Sequence, residues 1–177
     1  MIPNSRFLRQ HPAHFLALGL GSGLSPKAPG TAGTLWAWLA FLVLQPWMSD
    51  AAWGLTLLAG LALGWWACTV TAKHLGIADP SAIVWDEVVA FWGVLWLVMP
   101  AGFGEQVLAF VLFRFFDAVK PGPVGWADRL FHRSVVFREV NGEMLSTGWG
   151  KAGLGIMLDD VVAAFCTLLC MAFWRLL

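Results

Sequence analysis

Five apolar stretches, at 34–47, 51–72, 83–99, 106–119 and 156–177, dominate this chain, and three of them carry carboxylates: Asp86-Glu87, Asp117 and Asp159-Asp160. An ionised carboxylate surrounded by hydrocarbon is costly, so a chain that keeps one there turns it towards a protein interior, a cation or a metal. A full bilayer crossing takes about 20 residues. The second and fifth stretches meet that length, the third is marginal, and the first and fourth require tilting, kinking or incomplete insertion. The chain is 59% hydrophobic, 12% charged and contains twelve Trp, with a mean hydropathy of +0.71. This composition predicts an integral membrane protein, an all-α helical bundle of about five to six helices.

The 177 residues contain no linker, repeat or low-complexity tract, so one membrane-embedded domain over 1–177 is expected. A formal net charge of zero, with no basic patch interleaved with aromatics, argues against nucleic acid as a partner. Nothing in the sequence calls for an obligatory protein partner. Cys68, Cys166 and Cys170 all fall inside apolar runs, which suits small buried hydrophobes rather than disulfides or a zinc site. Ahead of the first stretch, Arg6, Arg9 and the short apolar run at 13–20 read better as an interfacial helix than as a cleaved signal peptide. Trp47, Trp53, Trp65, Trp66, Trp85, Trp96 and Trp174 lie near stretch ends, where indole favours the headgroup level.

Basic residues set the orientation. Arg6, Arg9 and Lys27 precede the first stretch, Lys73 follows the second, and Lys120, Arg129, Arg133, Arg138 and Lys151 lie between the fourth and fifth. The connections at 48–50 and 100–105 have none. The positive-inside rule then predicts a cytoplasmic N-terminus and cytoplasmic loops at 73–82 (with Asp79) and 120–155 (with Gly142). Asp86-Glu87, Asp117 and Asp159-Asp160 are thereby expected at one depth, on the cytoplasmic side. Clustered hard oxygen donors suit Mg²⁺, whereas zinc calls for His and Cys. Neighbours on a helix point about 100° apart, so one member of each acidic pair is a candidate ligand and the other a supporting group, base or cap. The structural alternative is simple ion pairing of Asp117 with Arg114 or Lys120.

Two further motifs point to phosphate. The Gly- and Pro-rich run from Gly19 to Thr34 frees backbone N–H groups just before a helix start, with Ser22, Gly23, Ser25, Lys27 and Thr31 as candidate anion contacts. The run lacks a P-loop ending, and its alternative role is a tight turn into the membrane. Lys120, stranded between a helix end and Pro121, either holds a phosphoryl oxygen beside Arg114 or snorkels to water. Acids for a cation, a nest for an anion and nearby cations together describe phosphoryl chemistry at a bilayer surface. A transporter would instead spread its acids along a crossing path.

Gly-Ser-Gly-Leu-Ser-Pro-x-x-Pro-Gly-Thr31, Ile83-Val-Trp-Asp-Glu87, Phe113-Arg-x-x-Asp-x-x-Lys-Pro-x-Pro123, Asp128-Arg129 and Gly155-Ile-Met-x-Asp-Asp160 occur in this order. With them the chain resembles the phosphatidylglycerophosphatase A family from about Phe15 onward. The resemblance implies an all-helical fold with a central helix wrapped by others. It also implies a Mg²⁺-dependent lipid phosphatase of the bacterial inner membrane that converts phosphatidylglycerophosphate to phosphatidylglycerol. The family's acidic positions fall on Asp86, Glu87, Asp117, Asp128, Asp159 and Asp160, with Lys120 beside them. Asp86, Glu87, Asp128, Asp159 and Asp160 are the candidate metal ligands. Two chemistries stay open at this point: a water oriented by a carboxylate, or direct attack by an aspartate. His132 reads as a solvated histidine rather than a proton donor to the leaving group. The polar stretch around 133–150 is longer than the resemblance leads one to expect, and is expected to form a surface loop.

Overall fold

A computed structural model describes residues 3–131, 135–140 and 143–176. His132, Arg133 and Gly142 lie outside the described residues. Two short helices, α1 (Ser5–Gln10) and α2 (Pro12–Ala17), lead through a 3-10 turn to α3 (Pro29–Leu44), and α4 (Asp50–Leu75), α5 (Trp85–Val98) and α6 (Phe103–Val119) follow. After α7 (Pro123–Phe131) comes a hairpin of β1 (Val136–Val140) and β2 (Glu143–Thr147), and α8 (Trp149–Trp174) ends the fold. The hairpin is antiparallel, with Val136 opposite Thr147 and Val140 opposite Glu143. Thus the stretch expected as a surface loop pairs as two strands in an otherwise all-α chain.

Each of the five apolar stretches becomes one long helix, but the ends move. Local chemistry sets helix ends, whereas hydropathy marks only the part that meets apolar surroundings. Pro29 occupies the first turn of α3, where its missing N–H costs nothing, so the helix starts five residues before the apolar run. The Ser49 hydroxyl accepts from Ala52 N at 3.2 Å and opens α4. That helix closes at Gly76 (φ 70°), where Gly76 N donates to Lys73 O and Ile77 N to Ala72 O, a Schellman closure. Helix α8 begins seven residues before the apolar stretch that announced it.

The centre of the molecule is α5. Val88, Val89, Ala90, Phe91, Trp92, Val94, Leu95 and Val98 are all buried, and α3, α4, α6 and α8 pack around them. Glycines on the wrapping helices permit the close approach: a Cβ at Gly64 would overlap Trp85 and Met157, and one at Gly33 would overlap Val84. Indole N–H groups cross between the helices, from Trp92 to Ala37 O at 2.8 Å and from Trp85 to Gly60 O at 3.0 Å. The expectation that the Trp residues near stretch ends sit at the headgroup level is corrected for two of them. Trp53 and Trp85 are core residues, and Trp53 stacks on Phe41 with ring centroids 4.7 Å apart. Trp47, Trp65, Trp66 and Trp174 do stay exposed.

Outward faces are apolar. Phe103, Val107, Val111, Phe115 and Val119 recur every four residues along α6 and are exposed, as are Leu35, Leu39, Leu42 and Val43 on α3. Among the described residues two helices, α4 and α8, are long and apolar enough to cross a membrane. Cys68 and Cys166 are buried and Cys170 half-buried, all as free thiols.

Candidate active site

The acids converge because five elements place their ends together: the starts of α3 and α5, the loop after α4, the end of α6 and the third turn of α8. Asp86 and Glu87 stand in the first turn of α5. Val84, just before them, donates its N–H to Ala17 O at 2.9 Å, which fixes where α5 begins. Asp159 and Asp160 lie ten and eleven residues into α8, about 15 Å from its start. A cleft of about 260 Å³ is lined by Gly30, Asp79, Ser81, Asp86, Glu87, Arg114, Asp117, Lys120, Asp159 and Asp160, among others.

Asp86, Glu87 and Asp160 each offer an oxygen, and these three atoms lie within 4.8 Å of one another. Each of the three also has a buried oxygen with no hydrogen-bond partner: Asp86 Oδ1, Glu87 Oε2 and Asp160 Oδ2. Buried polar atoms are normally satisfied, so three orphans on converging carboxylates mark a place for a ligand. Oxygens around a hard divalent cation at about 2.0 to 2.6 Å stand at most about 5 Å apart, and the trio stays within that limit. The donor set is all oxygen, which fits a hard divalent cation.

The neighbouring acids are already paired. Arg114 Nη1 lies 2.6 Å from Asp117 Oδ2 and 3.7 Å from Glu87 Oε1, and donates to Thr34 Oγ1 at 3.2 Å. Lys120 Nζ donates to Asp128 Oδ1 at 2.6 Å and to Asp159 Oδ2 at 2.5 Å. Burial works against the charge of Lys120, but its bonds to Asp128 and Asp159 outweigh it and hold the ammonium above the ordinary lysine range. Lys120 itself adopts a left-handed conformation (φ 48°) at the end of α6, which turns the chain into α7 and brings Asp128 within its reach. The ion-pair alternative thus holds for Asp117 and Asp159 and does not account for Asp86 or Asp160. Among the cleft-lining residues, six carboxylates (Asp79, Asp86, Glu87, Asp117, Asp159, Asp160) face two cations (Arg114, Lys120).

Several candidate residues lie elsewhere. The Ser22 hydroxyl donates to Gly19 O and that of Ser25 to Lys27 O, both at 2.8 Å, so these side chains serve their own turn. Gly23 and Ser25 line a separate cleft against Ala82, and Lys27 is exposed. Thr31 is half-buried and is not among the lining residues. What reaches the acids from this segment is Ala28–Gly30, the cap and first two residues of α3; Pro29 has no N–H, so Gly30 supplies the helix N–H that has no carbonyl one turn back. A Cβ on Gly30 would overlap Glu87 Oε1 and come within 3.2 Å of the Arg114 guanidinium. Asp128 lines an adjoining cleft of about 290 Å³ that shares Asp79, Ile156 and Asp159 with the first. Sequence reasoning passed over Asp79, Thr34 and Gly30 as site residues. Asp79 sits in a polar loop where an acid draws no attention, and Gly30 and Thr34 belong to the correct motif but one helical turn beyond its expected centre.

The sequence profile of the phosphatidylglycerophosphatase A family matches residues 15–137 and stops before Asp159. The chain is 37% identical over 163 residues to the phosphatidylglycerophosphatase A of Escherichia coli (strain K12), covering 92% of this chain and 83% of the relative. It is 34% identical over 154 residues to the phosphatidylglycerophosphatase A of Haemophilus influenzae, covering 87% and 83%. A Bacteroides thetaiotaomicron protein described as a candidate phosphatidylinositol-3-phosphatase is 34% identical over 171 residues, covering 90% and 91%. No solved structure matches the chain. By the profile match and these two namesake relatives, the chain belongs to the phosphatidylglycerophosphatase A family.

Proposed function

We propose that this protein is a Mg²⁺-dependent phosphatase that removes the terminal phosphomonoester of phosphatidylglycerophosphate, giving phosphatidylglycerol and phosphate. The observation that carries the reading is the trio Asp86, Glu87 and Asp160, three converging carboxylates each with a buried orphan oxygen. Those residues would hold Mg²⁺, which when bound neutralises phosphate charge and polarises the phosphoryl group. The Gly30 N–H at the start of α3 and the cations Arg114 and Lys120 hold the remaining phosphoryl oxygens. Asp117 and Asp159, kept in place by those cations, orient the attacking water. Water oxygen bonds to phosphorus as the bond from phosphorus to the glycerol oxygen breaks, and one water proton passes by way of the Asp117 or Asp159 carboxylate to that oxygen, so that phosphatidylglycerol leaves as an alcohol.

The protein acts as a single domain in the bacterial inner membrane, with its cleft on the cytoplasmic side and the apolar outer faces of α3 and α6 against lipid. The gathering of the acids in one cleft favours this reading over a transporter, whose acids would line a path across. The test is phosphate release by purified protein from phosphatidylglycerophosphate in mixed micelles, with Mg²⁺ and with excess EDTA, against phosphatidylinositol 3-phosphate as the rival headgroup. Turnover that survives EDTA overturns the metal's role. Release from the inositol lipid alone overturns the substrate.

A further inference from the structure

A second group of polar side chains, in a cleft that shares no lining residue with the acidic one, converges where α1 and α2 pack on the last turns of α4. There a cleft of about 380 Å³ is lined by Asn4, Arg6, Phe7, Gln10, His14 and His74. No carboxylate lines it, and its one lining arginine, Arg6, enters no ion pair among the described residues. The charge here is all of one sign.

The histidines have a fixed polarity. His14 is 2% exposed, is stacked on Phe7 with ring centroids 3.9 Å apart, and its Nδ1 lies 2.9 Å from Phe7 O. A carbonyl only accepts, so His14 Nδ1 carries the hydrogen. His14 Nε2 in turn lies 2.7 Å from His74 Nδ1. One extra proton on this pair makes His74 Nε2 a donor whichever ring holds it: either His74 is doubly protonated, or His14 donates to His74 Nδ1 and leaves the hydrogen on Nε2. Phe7 O thus anchors a row of hydrogen bonds whose free end is His74, in a cleft that also holds the Arg6 guanidinium. The Asn4 carbonyl oxygen caps α1 by accepting from Arg6 N and Phe7 N at 3.0 Å each, which leaves its amide as a further donor. Exposed Trp65 and Trp66, the latter against His11 at 5.9 Å, mark the same end of α4 with residues that favour the lipid headgroup level.

We propose that this cleft is a second anion site, distinct from the acidic cleft, that binds a phosphate group of the kind an anionic phospholipid headgroup presents. Arg6 supplies the planar donor pair and Asn4 and Gln10 neutral donors, and His74 Nε2 joins them as a donor when the anion brings a proton onto the histidine pair. The inference stands independently of the phosphatase reading.

Native mass spectrometry of the full-length protein in detergent, titrated with phosphatidylglycerol or phosphatidylcholine, tests it. Arg6→Gln and His74→Gln should each weaken retention of phosphatidylglycerol at least tenfold relative to wild type. Lys151→Gln, which removes one positive charge on α8, should leave it unchanged, and phosphatidylcholine should not be retained. Displacement of the bound lipid by millimolar inorganic phosphate would assign the site to free phosphate as well. Failure of phosphate to displace it would assign the site to the lipid headgroup. Circular dichroism melting checks that each variant is folded. Equal retention by wild type and both variants, or equal loss in Lys151→Gln, overturns the site in favour of diffuse attraction.

Discussion

At the scale of single residues, the division of labour among the acids yields distinct expectations. Asp86→Asn, Glu87→Gln and Asp160→Asn each keep shape but remove charge from the orphaned trio. Each should lower turnover by two to three orders of magnitude, about 3 to 4 kcal/mol of transition-state stabilisation, in a phosphate-release assay on protein that still purifies. Wild-type rates in all three would leave the trio without a catalytic role. Gly30→Ala tests the α3 end of the cleft, because its methyl group meets the Glu87 carboxylate and crowds Arg114. It should depress kcat with little change in melting temperature, since the displaced atoms belong to the site rather than to the core. The acids were legible in the sequence because charge in an apolar run is conspicuous whatever the fold. Asp79 was not, since its role comes from the path of the loop after Gly76, which no local pattern encodes. Ser22 and Ser25 misled for the opposite reason: a hydroxyl in a Gly-rich turn is as well suited to bonding its own backbone as to holding an anion, and here it does the former.

At the scale of elements, the apolar runs foretold the five long helices, and caps decided their ends. Hydropathy has no term for Pro29 or Gly148, so the starts of α3 and α8 came early. The hairpin escaped notice although Asn-Gly stands at 141–142 between the two strands, a strong two-residue turn signal, because the stretch was weighed by its polarity alone. Trp was the other ambiguous signal, since indole suits both a headgroup layer and a buried site with a carbonyl in reach. Trp53, fully buried between Phe41 and Trp92 with its N–H 2.6 Å from Gln45 Oε1, is of the second kind. Trp53→Ala should therefore destabilise by about 3 to 5 kcal/mol. Trp47→Ala, at an indole 86% exposed, should fall within about 0.5 kcal/mol of wild type. Paired thermal melts in detergent decide it, and equal shifts would restore the interfacial reading of Trp53.

At the scale of the molecule, six carboxylates against two cations in one cleft make the fold a reporter of its own ligand. A cation held by the trio binds the folded state alone, so Mg²⁺ at a hundred times its Kd should stabilise by about 2.7 kcal/mol. The rise in melting temperature should vanish in Asp86→Asn, an outcome independent of any activity assay. The proposed orientation is tested by Asp79→Cys in intact cells: it should resist membrane-impermeant thiol reagents added from outside and react after permeabilisation.

The length of α5 bears on how such a molecule assembles. At 14 residues it is about 21 Å long, short of the roughly 30 Å hydrocarbon core, while α4 and α8 at 26 residues exceed it. Long apolar helices insert as independent units and then associate. Helix α5 lacks the length to do so and depends on neighbours for most of its surface, among them α8, which is translated after it. Biogenesis therefore has a built-in delay, with the acidic end of α5 awaiting a partner that is translated some fifty residues later. A nascent chain stalled before α8 should show α5 accessible to proteolysis, and release of the completed chain should protect it.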